Sequence, residues 1–134
     1  MNRLAAFAPQ ILALQRIIVG LLFLEHGTSK LFGFPESPMP MPDPLPPMLL
    51  ASAVLELVGG ALLAVGLFTR ITAFIVPGEM AVAYFMAHAP RGFFPLVNMG
   101  EPAILYCFIF LYLAAAGGGA WSLDSLRSKA TPAP

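Results

Sequence analysis

The chain has 134 residues, of which 58% are hydrophobic and only 10% are charged, and its formal net charge at pH 7 is zero. Soluble domains carry about 25% charged residues, so this composition indicates an integral membrane protein. The lack of a basic run excludes nucleic acid as a partner, and the single cysteine, Cys107, excludes an intramolecular dithiol relay.

Four apolar stretches predict an all-α fold, an antiparallel up-down bundle of four transmembrane helices in one domain over residues 1–134, in the lipid bilayer. The expected spans, in chain order, are residues 11–32, 48–68, 71–88 and 101–117, followed by a tail over residues 118–134. Prolines recur through residues 35–47, which favours polyproline II and predicts an exposed loop between the first two helices. Pro77 is expected to kink the third helix or to end its first half.

Loop charges predict the orientation of the spans. The cations expected on one side are Arg3, Arg16, Arg70, Arg127 and Lys129, and those expected on the other are Lys30 and Arg91. The positive-inside rule then makes both termini cytoplasmic, and we take the host to be a bacterium. In the tail, Trp121 stands where an interfacial aromatic anchor belongs, and Ser122 is expected to cap a short amphipathic turn that reaches Leu126.

Each apolar stretch carries one carboxylate: Glu25, Glu56, Glu79 and Glu101. An ionised carboxylate at the bilayer centre costs about 2.5 to 3.5 kcal/mol on insertion scales, so such residues face a bundle interior or a wet cavity. The helical rise of about 1.5 Å per residue predicts one polar cluster in the outer half of the bilayer. Its expected members are Glu25, His26, Lys30, Glu56, Tyr84, His88, Asn98 and Glu101, while Glu79 is expected near the midplane.

Helical spacing also predicts which faces of the first two helices pack. On the second helix, Ser52, Glu56, Gly60 and Ala64 recur four residues apart, a stripe of small residues that places Glu56 between helices. On the first helix, one face holds Arg16, Gly20, Phe23, Gly27 and Lys30. Glu25 points the opposite way and is expected to find a partner on another helix. Arg16 is expected to extend to the inner interface of the membrane.

Three segments carry a resemblance to a known family. They are RIIVGLLFLEHGTSKLFGFP over residues 16–35, ELVGGALLAVGLFTR over residues 56–70, and NMGEP over residues 98–102 with a closing GGGAWSLD. In this order they resemble the DoxX family of small four-helix membrane proteins. The resemblance implies a multi-pass protein of the inner membrane, described as an oxidoreductase or a redox-linked subunit. A related protein is the membrane subunit of a thiosulfate:quinone oxidoreductase.

The first functional hypothesis is therefore a membrane or accessory subunit linked to the quinone pool. Its quinone pocket would be formed by His26, Lys30, His88 and Glu101. Proton handling would fall to Glu56, Glu25 and His26, because buried carboxylates and histidines are suited to proton transfer. We expect no intrinsic cofactor, and no metal site because no diagnostic ligand spacing occurs. The electron donor would be a redox partner subunit or a diffusible substrate.

Two alternatives stay open. Acids on every helix and a proline within the third are typical of transport routes, so the protein is alternatively a small-molecule or proton transporter, for which a homo-oligomer would supply the cavity. The charges are alternatively those of a scaffold without catalysis, in which Glu25 or Glu56 pairs with Lys30 or Arg91 and stabilises the register of the helices.

Overall fold

A computed structural model describes residues 3–130, and within that range every regular element is a helix, as the sequence predicts. The α-helices are α1 (Ala8–Phe32), α2 (Pro47–Val65), α3 (Thr69–Ala83), α4 (Pro95–Asn98), α5 (Glu101–Ala116) and α6 (Leu123–Ala130). A 3-10 turn, Arg3–Phe7, precedes α1. A π-helical turn, Tyr84–His88, and a 3-10 turn, Ala89–Arg91, follow α3.

Glycine and proline determine where the first two helices begin and end. Helix α1 ends at Phe32 because Gly33 takes a left-handed conformation with φ of 65°, and its amide donates to the Ser29 carbonyl at 3.0 Å. Residues 33–46 contain no helix. Helix α2 then begins at Pro47, a residue suited to a first helical turn because its missing N–H is not needed there.

Helix α2 ends at Val65, three residues before the end expected from hydropathy. Gly66 has a φ of 70°, and its amide donates to the Leu63 carbonyl at 3.1 Å. The next amide, that of Leu67, donates to the Leu62 carbonyl at 2.9 Å. These bonds satisfy the last carbonyls of the helix and close it early, although apolar residues continue beyond it.

Pro77 lies inside α3 and does not end it, in contrast to one of the two outcomes expected from the sequence. By length and composition, three helical segments of residues 3–130 are able to cross a membrane: Arg3–Phe32, Pro47–Val65 and Thr69–Arg91. Helix α5 is also apolar but has 16 residues, about 24 Å of helix, whereas a bilayer core is about 30 Å thick.

The chain divides into two compact units. Unit 1 contains the chain up to Thr69 together with the segment from Gly118 onward, and unit 2 is Arg70–Gly117. The buried apolar side chains of unit 1 include Ala13, Val19, Phe23, Ala53 and Leu63. Those of unit 2 are Ala73, Val76, Met80, Ala103, Phe110 and Leu113.

Candidate functional site

Helices α1 and α2 of unit 1 approach each other closely enough for their backbones to touch. A Cβ atom added to Gly27 would lie 2.5 Å from the Leu57 nitrogen, and one added to Gly60 would lie 2.5 Å from the Leu24 nitrogen. Gly20, about two turns before Gly27 on α1, meets α2 next to Ala64. Only glycine permits such contact, so the small-residue stripes predicted from the sequence do form the interface between the two helices.

A buried ion pair lies at this interface. The Lys30 ammonium donates to Glu56 Oε1 at 2.6 Å and to Ser52 Oγ at 3.1 Å. The two charged side chains are 16% and 4% exposed, respectively. The position of Glu56 between helices, expected from its flanking small residues, is therefore confirmed. Glu56 Oε2 is buried and has no hydrogen-bond partner among residues 3–130.

Lys30 also lines an open cavity of about 660 Å³, formed where α1 ends and the proline segment begins. Met39, Met41, Leu45 and Leu50 contribute apolar surface to its walls. An ammonium group has three N–H donors, and two of those of Lys30 are bound to Glu56 and Ser52. The third forms no hydrogen bond with the described residues.

The other two candidates on α1 lie away from the buried interface. Glu25 is exposed, and its carboxylate forms no ion pair or hydrogen bond with any described residue; only its backbone carbonyl is bound, by Thr28 Oγ1 at 3.1 Å. The structure therefore does not bring Glu25 to the Lys30–Glu56 pair or to a partner on another helix. His26 is exposed as well, and the roles expected for both residues stay predictions.

In unit 2, Asn98 organises the segment that joins α3 to α5. Its buried side chain donates from Nδ2 to the Gly92 carbonyl at 2.8 Å and accepts at Oδ1 from the Gly100 amide at 2.8 Å. His88 Nδ1 lies 3.0 Å from the Asn98 carbonyl oxygen. Because a carbonyl can only accept, His88 Nδ1 donates this hydrogen bond. The ring of Tyr84 stacks on that of His88, with centroids 6.3 Å apart.

Glu101 stands in the first turn of α5 and is exposed. An acid at this position complements the positive end of the helix dipole, which is a sufficient physical reason for its presence. Its expected place in a quinone pocket stays a prediction.

Comparison with known proteins identifies the family. The profile of the DoxX family matches residues 11–89, more than half of the chain. The chain belongs to the DoxX family. An uncharacterized protein of Haemophilus influenzae is 47% identical to it over 129 residues, which cover 93% of this chain and 96% of the relative. No solved structure matches it. Family membership and the span-capable helices together make this DoxX protein a multi-pass membrane protein.

Arg16 is the residue whose role the sequence did not predict. Its side chain is fully buried and so is not exposed as an interfacial anchor, and that expectation is wrong. The guanidinium binds four backbone carbonyls: Gly118 at 2.8 Å, Leu63 at 2.6 Å, Ala64 at 2.7 Å and Trp121 at 3.0 Å. The C-terminal end of a helix carries partial negative charge, so the end of α2 and the segment after α5 together accommodate this cation.

Two glycines make room for the Arg16 site in this DoxX protein. A Cβ on Gly66 would lie 2.8 Å from Arg16 Cζ, and one on Gly119 would lie 2.8 Å from the Pro9 carbonyl oxygen. The signal in the sequence was the position of Arg16 on the same face as Gly20, directed at the second helix. The sequence did not show that the segment with Gly118 and Gly119 would pack against that face of α1, where the Gly118 carbonyl accepts a hydrogen bond from Arg16.

Asp124 closes the same end of unit 1. Its carboxylate accepts from the Phe68 amide at 2.9 Å and from the Thr69 amide at 2.8 Å, which caps the start of α3. Partial burial opposes ionisation, but the backbone hydrogen bonds from Thr69 and Phe68, with the positive charge of Arg127, outweigh it and lower the pKa of Asp124 below its ordinary value.

Arg70 performs a related role within unit 2. Its guanidinium donates to the carbonyls of Ala114, Ala115 and Ala116, the last residues of α5. Unlike Arg16, Arg70 is exposed. The chain thus uses arginine at two helix C-termini, once buried and once at the surface.

Proposed function

We propose that this DoxX protein is a small membrane component linked to the quinone pool, in which the Lys30–Glu56 pair is the polar part of a quinone site. One observation carries the proposal: Glu56 keeps a buried carboxylate oxygen without a hydrogen-bond partner among the described residues, beside an ammonium group that lines an open cavity. A buried polar atom left unbound costs free energy, and a ligand with a matching donor removes that cost.

The chemistry of a quinone matches the two groups. A quinone carbonyl in the cavity accepts a hydrogen bond from Lys30, and Glu56, which is bound to the same ammonium but does not line the cavity, exchanges the proton through Lys30. Reduction of a quinone to a quinol takes up two electrons and two protons, so a carboxylate at hydrogen-bond distance is a suitable proton carrier. The electrons come from a redox partner subunit or a diffusible donor, and the chain itself binds the quinone and moves protons. Within unit 1, His26 on α1 is a further candidate for the pocket.

We also propose the finer topology that the sequence predicts. Helix α5 forms a fourth span despite its length, since it carries no charge after Glu101, and the spans form an up-down bundle in the inner membrane of a bacterium with both termini in the cytoplasm. Cysteine residues introduced singly into residues 33–46 and into α6 test this orientation. In intact cells, a membrane-impermeant maleimide should label only the first group.

The quinone content of the purified protein tests the proposal. Protein extracted gently from membranes should carry quinone in stoichiometric amount in the wild type and lose it in Glu56→Gln. The matched control is Asp124→Asn, an acid-to-amide change beyond the end of α2 and outside the residues that line the cavity, which should retain it. Absence of quinone from the wild type, or equal content in Glu56→Gln, would show that the pair does not bind quinone.

A scaffold role is the second candidate, and one observation favours it. Lys30 and Glu56 already neutralise each other at 2.6 Å, which by itself fastens α1 to α2. The exchanged variant Lys30→Glu/Glu56→Lys keeps an ion pair but reverses the positions of donor and acceptor. A folded exchanged variant without quinone supports the binding role. A folded exchanged variant with full quinone content shows that the pair is structural.

A further inference from the structure

Helix α6 is attached to unit 1 through its polar face. Asp124 accepts from the Phe68 and Thr69 amides, and its own amide donates to the Gly66 carbonyl at 2.9 Å. Ser122 caps the helix, because its Oγ accepts from the Ser125 amide at 3.1 Å. At 100° per residue, these contacts occupy one side of α6, and the opposite side faces outward.

The outward face of α6 is apolar and is flanked by basic residues. Leu123 and Leu126 lie on it and are 41% and 61% exposed, and Trp121, just before the helix, is 68% exposed. Arg127 and Lys129 lie on its two edges by helical spacing, and both are exposed. A surface helix of a soluble protein has the reverse arrangement, with its apolar face on the core. This outward apolar face therefore requires a cover.

The position of α6 indicates what that cover is. Its cap residue Ser122 packs against Gly66, where a Cβ would lie 2.5 Å from Ser122 Cβ, directly after the end of α2. Asp124 caps the start of α3. Because α2 is long and apolar enough to cross a membrane, α6 lies beside one end of a candidate span, the end at which a bilayer would have its headgroups.

We propose that α6 binds the surface of an anionic phospholipid bilayer. The side chains of Trp121 and Leu126 enter the boundary between headgroups and acyl chains, and Arg127 and Lys129 bind lipid phosphates. Charge complementarity selects anionic lipid: the one acid of the helix, Asp124, is engaged by backbone amides on the protein side. Arg127 is also positioned, since its guanidinium stacks on Phe68 with Cζ 5.0 Å from the ring centroid. This inference does not depend on the quinone proposal.

Trp121 is the single tryptophan of the chain, so its fluorescence reports this surface directly. The full chain is reconstituted in vesicles of phosphatidylcholine and phosphatidylglycerol in which one or the other lipid is brominated, at equal mole fraction. In the wild type, brominated phosphatidylglycerol should quench the emission roughly twofold more strongly than brominated phosphatidylcholine, because each basic side chain near a bilayer attracts anionic lipid. Symmetric vesicles make the result independent of topology.

Two variants and one control locate the effect. The ratio of the two quenching strengths should fall to about one in Arg127→Gln/Lys129→Gln. It should fall partway in Lys129→Gln, whose exposed side chain forms no hydrogen bond, ion pair or ring contact with the described residues. The control Arg91→Gln removes the same charge from unit 2 and should keep the wild-type ratio. Equal quenching by both lipids in the wild type overturns the proposal. Iodide added to the aqueous phase is a second quencher. Quenching by iodide but not by brominated lipid would show that the face meets water, and quenching by neither would show that a protein partner covers it; both results overturn the proposal.

Discussion

Replacement of Arg16 by methionine removes the most connected side chain of unit 1 with little change in volume. The guanidinium binds the carbonyls of Leu63 and Ala64 at the end of α2 and those of Gly118 and Trp121 in the segment after α5. Methionine fills the space but donates no hydrogen bond, so each of these carbonyls loses its bond to the guanidinium, while the Leu63 carbonyl keeps the bond from the Gly66 amide. We therefore expect a loss of stability that comes from hydrogen bonding more than from packing.

The magnitude follows from the four bonds. Interhelical hydrogen bonds in membranes contribute about 0.6 kcal/mol each on average, which gives about 2.5 kcal/mol for the set. In soluble proteins, hydrogen bonds to charged groups contribute more, and the low end of their range, about 1.5 kcal/mol each, gives about 6 kcal/mol for the four bonds. The variant also lacks the free-energy cost of removing a cation from water when the protein folds, and this offsets part of the loss. We expect Arg16→Met to lower the free energy of unfolding by about 2 to 4 kcal/mol.

Reversible unfolding in mixed micelles of increasing dodecyl sulfate fraction, followed by circular dichroism, measures this change. Arg70→Met is the matched control, because Arg70 also binds carbonyls at a helix C-terminus but is exposed. It should cost less than about 1 kcal/mol, as surface substitutions usually do. Arg16→Lys should fall between wild type and Arg16→Met, since an ammonium has only three donors. The reasoning is refuted if Arg16→Met and Arg70→Met are equally stable.

Two further predictions concern the helix contact and the tail. Gly27→Val should lower the free energy of unfolding by about 1 to 3 kcal/mol, because its side chain meets the α2 backbone. In the same unfolding assay Gly78→Val, at a glycine with open space around it, should have little effect, and similar losses in both variants would contradict the close contact. The folded pKa of Asp124 lies below the ordinary aspartate value of about 4, so its ionised carboxylate stabilises the fold above that pH, and this contribution is lost as the pH falls through the folded pKa. The difference in unfolding midpoint between wild type and Asp124→Asn should thus be constant down to about pH 5 and shrink below about pH 4; a difference that grows with acid would contradict it.

The site was predicted in part. Small residues around Glu56 placed it between helices, and the face shared by Gly27 and Lys30 predicted which side of α1 it would meet. The pairing of Lys30 with Glu56 was one of several partner choices that the spacing allowed. Tyr84, His88 and Asn98 do lie together, as expected. Asn98 connects them, and it also binds backbone groups of the same segment. Glu25 was expected to find a partner on another helix and is instead exposed, because helical spacing predicts the direction of a side chain but not what lies in that direction.

The sequence by itself determined the class of protein, the helices and most of their ends. Composition, hydropathy and the local demands of glycine and proline act within a few residues, so they can be read without knowledge of the fold. Only the tertiary structure decided that Arg16 would be buried, that Glu56 would pair with Lys30 and that α6 would turn its apolar face outward. Arg16 binds carbonyls up to 105 residues away along the chain. Which carbonyls reach a buried cation depends on how separate segments pack, and no local pattern records that packing.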